Sequence, residues 1–560
     1  MADKFVVGLD FGTLSGRAVI VRVSDGAEMG TAVHEYAHGV MDRVFSAADG
    51  QKLPPDFALQ DPSDYIEALT TIVPGAIADA GVDADDIIGI GVDFTSSTVI
   101  AAKSDGTPMC QLPEFANNPH AWVKLWKHHG AQDQADRIVK LAQVRREPWL
   151  ARYGGILSPE MLLPKVLETL ERAPEVYQAT DVFCDAVDWI TWQLTEVLTF
   201  AQGDSGYKRT YQDGKYPSKE FLANLNPHFA DVFETRMNAP VVPLGARVGG
   251  LTSKFAEQLG LPAGIAVASG NIDAHVTAAA VQAVENGQMT AIMGTSACYI
   301  VSDSQCREVP GVFGIVDGGI IEGSWAYEAG QTAFGDIFAW FVEDCVPASY
   351  TEEAQRRGIT IHDLLTEKCA DQEVGEHGLI ALDWHNGNRS VLADSKLSGT
   401  ILGQTLTTTP EDQYRALLEA AVFGARTIIE SFRNAGIEIN EMVVAGGLTK
   451  NHFLMQLMSD ICRVPLSVGA TEQPGSRGSA VFGAVAAGAY PDVRAASQAM
   501  GGKLEGVYQV DEERAVQYDA LYAEYARLHD YFGRGGNQVM RRLKEIRRQA
   551  RLRAREVKRG

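Results

Sequence analysis

The sequence predicts an α/β protein built from two equivalent halves, on three observations. A β-rich run, a small-residue turn and a second β-rich run open the chain from Phe5 to Val23, and the same pattern returns from Met289 to Val301. This repeat has a period of roughly 280 residues, far too long for a solenoid. Each copy is followed later by an apolar strand ending in a polar loop: Ile87 to Val92 before Asp93–Thr98, and Met442 to Ala445 before Gly446–Asn451.

Phe5 to Val23 reads as a hairpin, with Asp10 to Gly16 at its tip. Residues 130 to 245 break the rhythm with Trp, Tyr, Pro and polar loops, as an insertion that shapes a site would. The boundary between halves falls near Val267 to Asn271. From there Asp273 opens an Ala-rich helix running to about Val284. The clearest helix starts at Thr409 Pro410 Glu411 and closes near Gly436; its apolar positions 414, 417, 418, 421, 422, 425, 428, 429 and 432 form one broad face that must pack on a sheet. Gly478 to Gly488 reads as a helix whose small residues permit close backbone approach.

Of the 560 residues, 46% are hydrophobic and 22% charged, which suits a large globular chain of several domains. No apolar stretch is long enough for a membrane span, and Met1 to Lys4 does not read as a basic-then-apolar leader, so a cytoplasmic protein is expected. The net charge of -23 repels nucleic acid and anionic membranes, and neither is expected as a partner. Arg541 to Gly560 is the exception, with ten Arg and Lys against two Glu. It reads as a solvated helix, or alternatively as a subunit contact with the acidic body or a site for a phosphate-bearing partner; a homodimer stays open. Seven cysteines without a C-x-x-C pair argue against a disulfide framework or a thiolate zinc site, and are expected as small buried residues.

The hairpin tip Asp10 Phe11 Gly12 Thr13 Leu14 Ser15 places backbone N–H groups, two hydroxyls and one carboxylate together. Such a turn can wrap a phosphate while Asp10 holds water around Mg²⁺, and it can equally be an ordinary tight turn. Gly294 Thr295 Ser296 stands at the equivalent point of the second half, so the two turns together could clamp a polyphosphate, with Gly446 and Gly447 letting a nucleoside lie against backbone. No GxxxxGK[ST] loop occurs. Asp273 is either a helix N-cap or first-turn acid, or a base that accepts a hydroxyl proton during phosphoryl transfer. His275 is expected as packed, with a hydrogen-bond donor behind the site as the alternative. Lys208 and Glu328 suit a polyhydroxylated ligand, and each could instead be a surface ion-pair residue. Trp126 could stack on a sugar or sit in the core. Adjacent His128 and His129 do not share a helix face, so a metal pair there is not expected.

These segments resemble the FGGY family of carbohydrate kinases over most of residues 4 to 500. The likeness rests on Gly8 Leu9 Asp10 Phe11 Gly12 Thr13, Gly91 to Thr98, Pro113 to His129, Tyr327 to Phe341 and Asp383 to Ser390. The second, third and last are specific to the branch that phosphorylates L-ribulose in L-arabinose catabolism; the first is shared among actin-like ATPases. The resemblance implies two actin-like (ribonuclease H-like) domains around a cleft. These are an N-terminal sugar-binding domain over 1–268, a C-terminal ATP-binding domain over 269–500 and a helical extension over 501–560 with the basic tail. It implies ATP and Mg²⁺ as cofactors, a ketopentose substrate and transfer to the C5 hydroxyl of L-ribulose. Xylulose or D-ribulose is the near alternative, and a non-catalytic actin-like ATP-binding module the distant one. Position by position it makes Asp273 the general base and Asp10 the acid near Mg²⁺. Gly12, Thr13, Ser15 and Arg17 fall on the first phosphate loop, and Gly294, Thr295 and Ser296 on the second. Gly446, Gly447 and Asn451 fall on the adenosine side, and Ser96, Lys208, Asp273, Glu328 and Trp126 on the sugar. Two departures stand out. Gln202 Gly203 Asp204 Ser205 precedes Lys208 where the family has an Arg and a Cys, and Arg477 replaces an apolar residue in Pro474–Ala480.

Overall fold

The computed structural model describes residues 3–48 and 50–557. Met1 and Ala2 of the expected leaderless start, and the last three residues of the basic segment, lie outside them.

The opening hairpin is β1 (Phe5–Phe11) and β2 (Ser15–Arg22), antiparallel with Asp10 opposite Arg17 and Phe11 opposite Gly16. Its alternating apolar residues explain the strands: Val7, Leu9, Ala18 and Ile20 are fully buried in one core. The sheet continues through β3 (Glu28–Glu35) on one side and β4 (Ile87–Phe94) on the other, with β5 (Arg247–Gly250) and β6 (Ala266–Ala268) beyond, in the order β5-β6-β4-β1-β2-β3. The short strand Asn271–Ile272 also pairs with β4. Because β4 runs parallel to β1, Asp10 and Asp93 are direct neighbours across the sheet.

The second half repeats this plan. β7 (Gln288–Met293) and β8 (Ala297–Asp303) form an antiparallel hairpin, flanked by β9 (Gly314–Asp317) and β10 (Trp325–Gln331). On the other side β11 (Glu441–Ala445) runs parallel to β7, followed by β12 (Leu466–Gly469) and β13 (Lys503–Tyr508). The order is β9-β10-β8-β7-β11-β12-β13.

Between the strands, the insertion contributes helices α1 (Leu162–Arg172) and α2 (Gln202–Lys208). Helix α3 (Asp273–Ala280) opens at Asp273 and stops four residues short of the expected Val284; Gln282 there takes a left-handed φ of 55°. Helix α4 (Pro410–Asn434) starts with a reciprocal Thr409–Asp412 capping box and a proline in its first turn, and buries the anticipated face. Helix α5 (His452–Cys462) follows β11.

Helix α6 (Pro474–Ala486) departs from the expected partition. It lies in the second half of the chain but packs on β1 and β4 of the first sheet. The approach is so close that a Cβ on Gly8 would stand 1.8 Å from the Ser476 carbonyl oxygen, so only glycine fits. Val276, Val481 and Phe482 join Val6, Val19 and Val21 in a core shared by both halves.

The expected helical extension also differs. Residues 503–508 form the edge strand β13, and α7 (Glu512–Gly533) buries Tyr518, Tyr522 and Tyr525 in the second core. Only α8 (Val539–Val557) stands away from it, and even there Met540 is buried and Arg541 pairs with Asp394 at 2.6 Å. No described helix is long and apolar enough to cross a membrane. Of the seven cysteines four are buried, Cys298 and Cys306 are half-buried and Cys345 is exposed, a wider spread than expected.

Candidate active site

Three elements bring the sugar-type residues together. Lys208 ends α2, Glu328 lies on β10 and His275 faces inward from the first turn of α3. Lys208 Nζ and His275 Nε2 converge on Glu328 Oε2 at 3.1 and 3.2 Å. Burial alone would raise the Glu328 carboxyl, but Lys208 and His275 outweigh it and hold it below the usual carboxylate range. Neither Lys208 nor Glu328 is a surface residue, and His275 is a partner of the cluster rather than packing alone. The Lys208 ammonium also sits 4.6 Å from the centroid of Phe313.

Asp273 occupies the first position of α3; the N-cap is Ile272. Its Oδ1 accepts from the Ala274 N–H at 2.7 Å. Burial and the negative charge of Asp10 push its carboxyl up to about 7, against the Ala274 hydrogen bond and Lys208. A carboxyl with that value is partly ionised at neutral pH and suits proton transfer there.

Asp10 and Asp93 form a second acidic centre. Burial raises both, and the Asp10 charge raises Asp93 further; the neighbouring Asp93 and then Arg17, opposite Asp10, offset the rise on Asp10. Asp93 is tied to α6 through Ser479 Oγ at 2.5 Å, while its Oδ1 has no protein partner. In the first turn the Gly12 N–H donates to Ser15 O at 3.0 Å. The Thr13 hydroxyl is engaged, accepting from Trp126 Nε1 at 3.1 Å, which ties the expected sugar wall to the expected phosphate loop. Ser96 is half-buried on the loop after β4.

The second turn is open. Gly294, Thr295 and Ser296 are exposed, and the Phe334 and Asp336 N–H groups hold the Thr295 carbonyl. Gly446 and Gly447 are exposed beyond β11; Gly446 has φ 101°, and a Cβ on it would meet Met293 O at 2.3 Å. Asn451 is engaged locally, since its Oδ1 caps α5 at Leu454 N and its Nδ2 lies 3.4 Å from Thr366 Oγ1.

Residues 5–280 match the model of the N-terminal domain of the FGGY family of carbohydrate kinases, and residues 289–487 that of its C-terminal domain. The chain belongs to this family. Its chemistry is therefore phosphoryl transfer to a carbohydrate. FGGY relatives named as ribulokinases include one from Mycolicibacterium smegmatis, 54% identical over 549 residues, or 98% of this chain and 97% of that one. Another, from Halalkalibacterium halodurans, is 46% identical over 98% of each chain. Among solved structures, xylulose kinase from Rhodospirillum rubrum superposes with a TM-score of 0.75 at 22% identity, covering 94% of this chain and 98% of that one. Glycerol kinase from Plasmodium falciparum with ADP gives 0.72 at 15%, over 94% and 98%. These distant likenesses carry the fold, two actin-like domains, and nothing further.

Both departures from the FGGY pattern are absorbed locally. Gln202 Nε2 donates to the Asp317 carbonyl at 2.6 Å, joining α2 to the second half. Asp204 is buried without a hydrogen-bond partner, and burial with the charges of Asp185 and Asp188 pushes its carboxyl well up. Arg477 turns to the Met500 carbonyl at 2.8 Å and to Glu28 at 3.7 Å. Asp93, Ser479 and Lys165 of the insertion escape a reading of the sequence alone. The one signal there is Asp93, an acid closing an apolar strand just as Asp10 does.

Proposed function

We propose that the chain is an ATP-dependent ketopentose kinase that transfers the γ-phosphoryl group to the C5 hydroxyl of L-ribulose, giving L-ribulose 5-phosphate and ADP. The observation that carries this is Asp273, a half-buried carboxyl poised near 7 and sharing its surroundings with the Lys208–Glu328–His275 cluster. A nucleotide-gated module without catalysis needs neither. The names of the 54% and 46% identical relatives favour ribulose over other ketopentoses.

In this reading Asp273 accepts the C5 proton as the oxygen attacks phosphorus. Glu328 and Lys208 supply an acceptor and a donor for sugar hydroxyls, with Ser96 and Trp126 as the adjoining walls. The N–H groups and hydroxyls of Gly12, Thr13, Ser15, Gly294, Thr295 and Ser296 receive the phosphates, with Arg17 beside the first turn. Gly446 and Gly447 leave backbone open to the nucleoside, with Asn451, the N-cap of α5, on the same side. The acidic centre fits Mg²⁺: Asp10 is half-buried, Asp93 has a free buried oxygen, and α6 presents Gly475, whose Cβ would crowd Asp10 Oδ2 at 2.8 Å. When bound, the ion would neutralise developing phosphate charge. We place the sugar side in 1–268 and the nucleotide side in 269–500, in a protein of the cytoplasm, where ATP is supplied.

The test is ADP release from purified protein with ATP, Mg²⁺ and a panel of L-ribulose, D-ribulose and the xyluloses. L-Ribulose is expected to give the highest kcat/KM. A preference for another pentulose corrects the substrate; no sugar-dependent ADP with any of them defeats the kinase reading.

A further inference from the structure

Helix α1 carries a lysine with no exposed surface and no carboxylate hydrogen-bonded to it. Lys165 Nζ donates to the carbonyls of Ser97 at 2.7 Å and Leu125 at 2.8 Å, and lies 3.4 Å from that of Lys124. Lys124 returns the contact: its buried Nζ donates to Lys165 O at 3.1 Å, Glu168 Oε2 at 2.8 Å and Thr169 Oγ1 at 2.7 Å. The two lysines thus stitch α1 to the segment 123–128 in both directions. An ammonium has three donors, and three acceptors converge on this one, which is how a buried lysine is tolerated.

The carbonyls Lys165 holds are the neighbours of site residues. Ser97 directly follows Ser96, and Leu125 directly precedes Trp126. Ser97 is also one of the few non-glycine residues with a left-handed φ, 54°, a conformation that lasts only where the surroundings impose it. Trp126 in turn reaches Thr13. A single ammonium therefore links the loop after β4, the tryptophan wall and, through it, the first phosphate turn.

We propose that Lys165 is a positioning residue for the sugar: by pinning the Ser97 and Leu125 carbonyls it fixes the spacing of the Ser96 and Trp126 walls between which the ketopentose lies. This rests on the kinase reading above. It carries a pH signature. Burial pushes the Lys165 ammonium down to about 7, with Lys124 adding to the fall, while Glu160 before α1, Asp185 at the end of strand Val182–Asp185 and Glu168 on α1 oppose it. His128 and His120, which also face this network, are driven down to about 4 and about 3 by burial, so both are neutral at pH 6 and above, and Arg172 pairs with Glu168 Oε1 at 3.2 Å. As pH rises through 7, Lys165 loses a donor while its carbonyls remain, and the walls loosen.

The experiment measures kcat and both KM values from pH 6 to 9 for the wild type and Lys165→Met. In the wild type the ketopentose KM rises above about pH 7 while the ATP KM stays level. Lys165→Met is expected to raise the ketopentose KM by about tenfold or more at pH 6.5, as for loss of charged hydrogen bonds, to leave the ATP KM within about twofold and to abolish the pH-dependent rise. A folded Lys165→Met protein whose ketopentose KM is within about twofold of wild type at pH 6.5 overturns the proposal, because the lost hydrogen bonds should cost more. If the variant does not fold, the wild-type profile decides, and a flat ketopentose KM overturns it. Absence of wild-type turnover with every ketopentose defeats the kinase reading and this role with it; turnover with an unmoved KM defeats the Lys165 role alone.

Discussion

The two hairpin turns share one backbone plan and carry opposite chemistry. Each is closed by a glycine N–H on a nearby carbonyl, Gly12 to Ser15 and Gly294 to Ser296. Each hairpin has a parallel third strand on the same side. In the first half, Asp10 lies near the end of β1, just before the turn, and fully buried Asp93 is the next-to-last residue of β4. In the second, the turn is exposed and uncharged, and β11 ends in bare glycines. The second turn itself offers N–H groups and hydroxyls, while Asp10 and Asp93 stand together beside the first. The two halves thus present similar hairpins, one residue different in turn length, whose side chains differ in charge.

The strongest way to break this division is Asp273→Asn. If acid chemistry belongs to Asp273, the amide keeps the shape but cannot take the proton, and turnover falls by roughly a hundredfold or more. Because Asp273 is not the N-cap, its melting temperature should move little. A folded, ATP-binding variant retaining more than about a tenth of wild-type turnover would place the base elsewhere.

A smaller effect comes from pH alone. Burial and Asp10 raise Asp273 to about 7, and only its ionised form is a base. Turnover should fall about tenfold per unit as pH drops well below 7, the unbuffered slope of a single required ionisation. A kcat level down to pH 5.5 contradicts the assignment.

On the neutral side, Gly446→Ala and Gly447→Ala form a matched pair. A methyl at 446 meets Met293 O and forces φ 101° on a non-glycine residue, whereas one at 447 finds nothing within 4 Å. Strain of about 1–3 kcal/mol at 446 should weaken ATP by around tenfold in calorimetric titration, with 447 near wild type. Equal effects would show that the exposed glycines do not shape the nucleotide side. The smallest expected effect is truncation after Glu545, which spares the anchors Arg541–Asp394 and Lys544–Ser395 O. Turnover and melting should stay within surface-mutation scatter, about twofold in rate. A cut after Gly536 instead removes buried Met540 and should lower the melting temperature.

Much of this comparison is legible in the sequence, because strands announce themselves by alternation and the repeated hairpin is local in the chain. Asp273 can be singled out since an acid at a helix start has few readings. Three things are hidden. The edge strand β13, Lys503–Tyr508, has a weak pattern and gains its order from β12. Helix α6 gives away its small residues but not which sheet they press against, since chain order says nothing of that. Lys165 and Lys124 carry no signal in the sequence; only the convergence of carbonyls from three segments makes them interior groups.

The crossing of α6 onto the first sheet also governs how this chain can be made. Synthesis runs from the N-terminus at about 5–20 residues per second, so β1 and β4 emerge some tens of seconds before residue 474 exists to cover them. During that interval the flank of the sheet around Gly8 is bare apolar backbone with no native partner within reach. The first sheet can therefore complete its native packing only once translation has delivered α6.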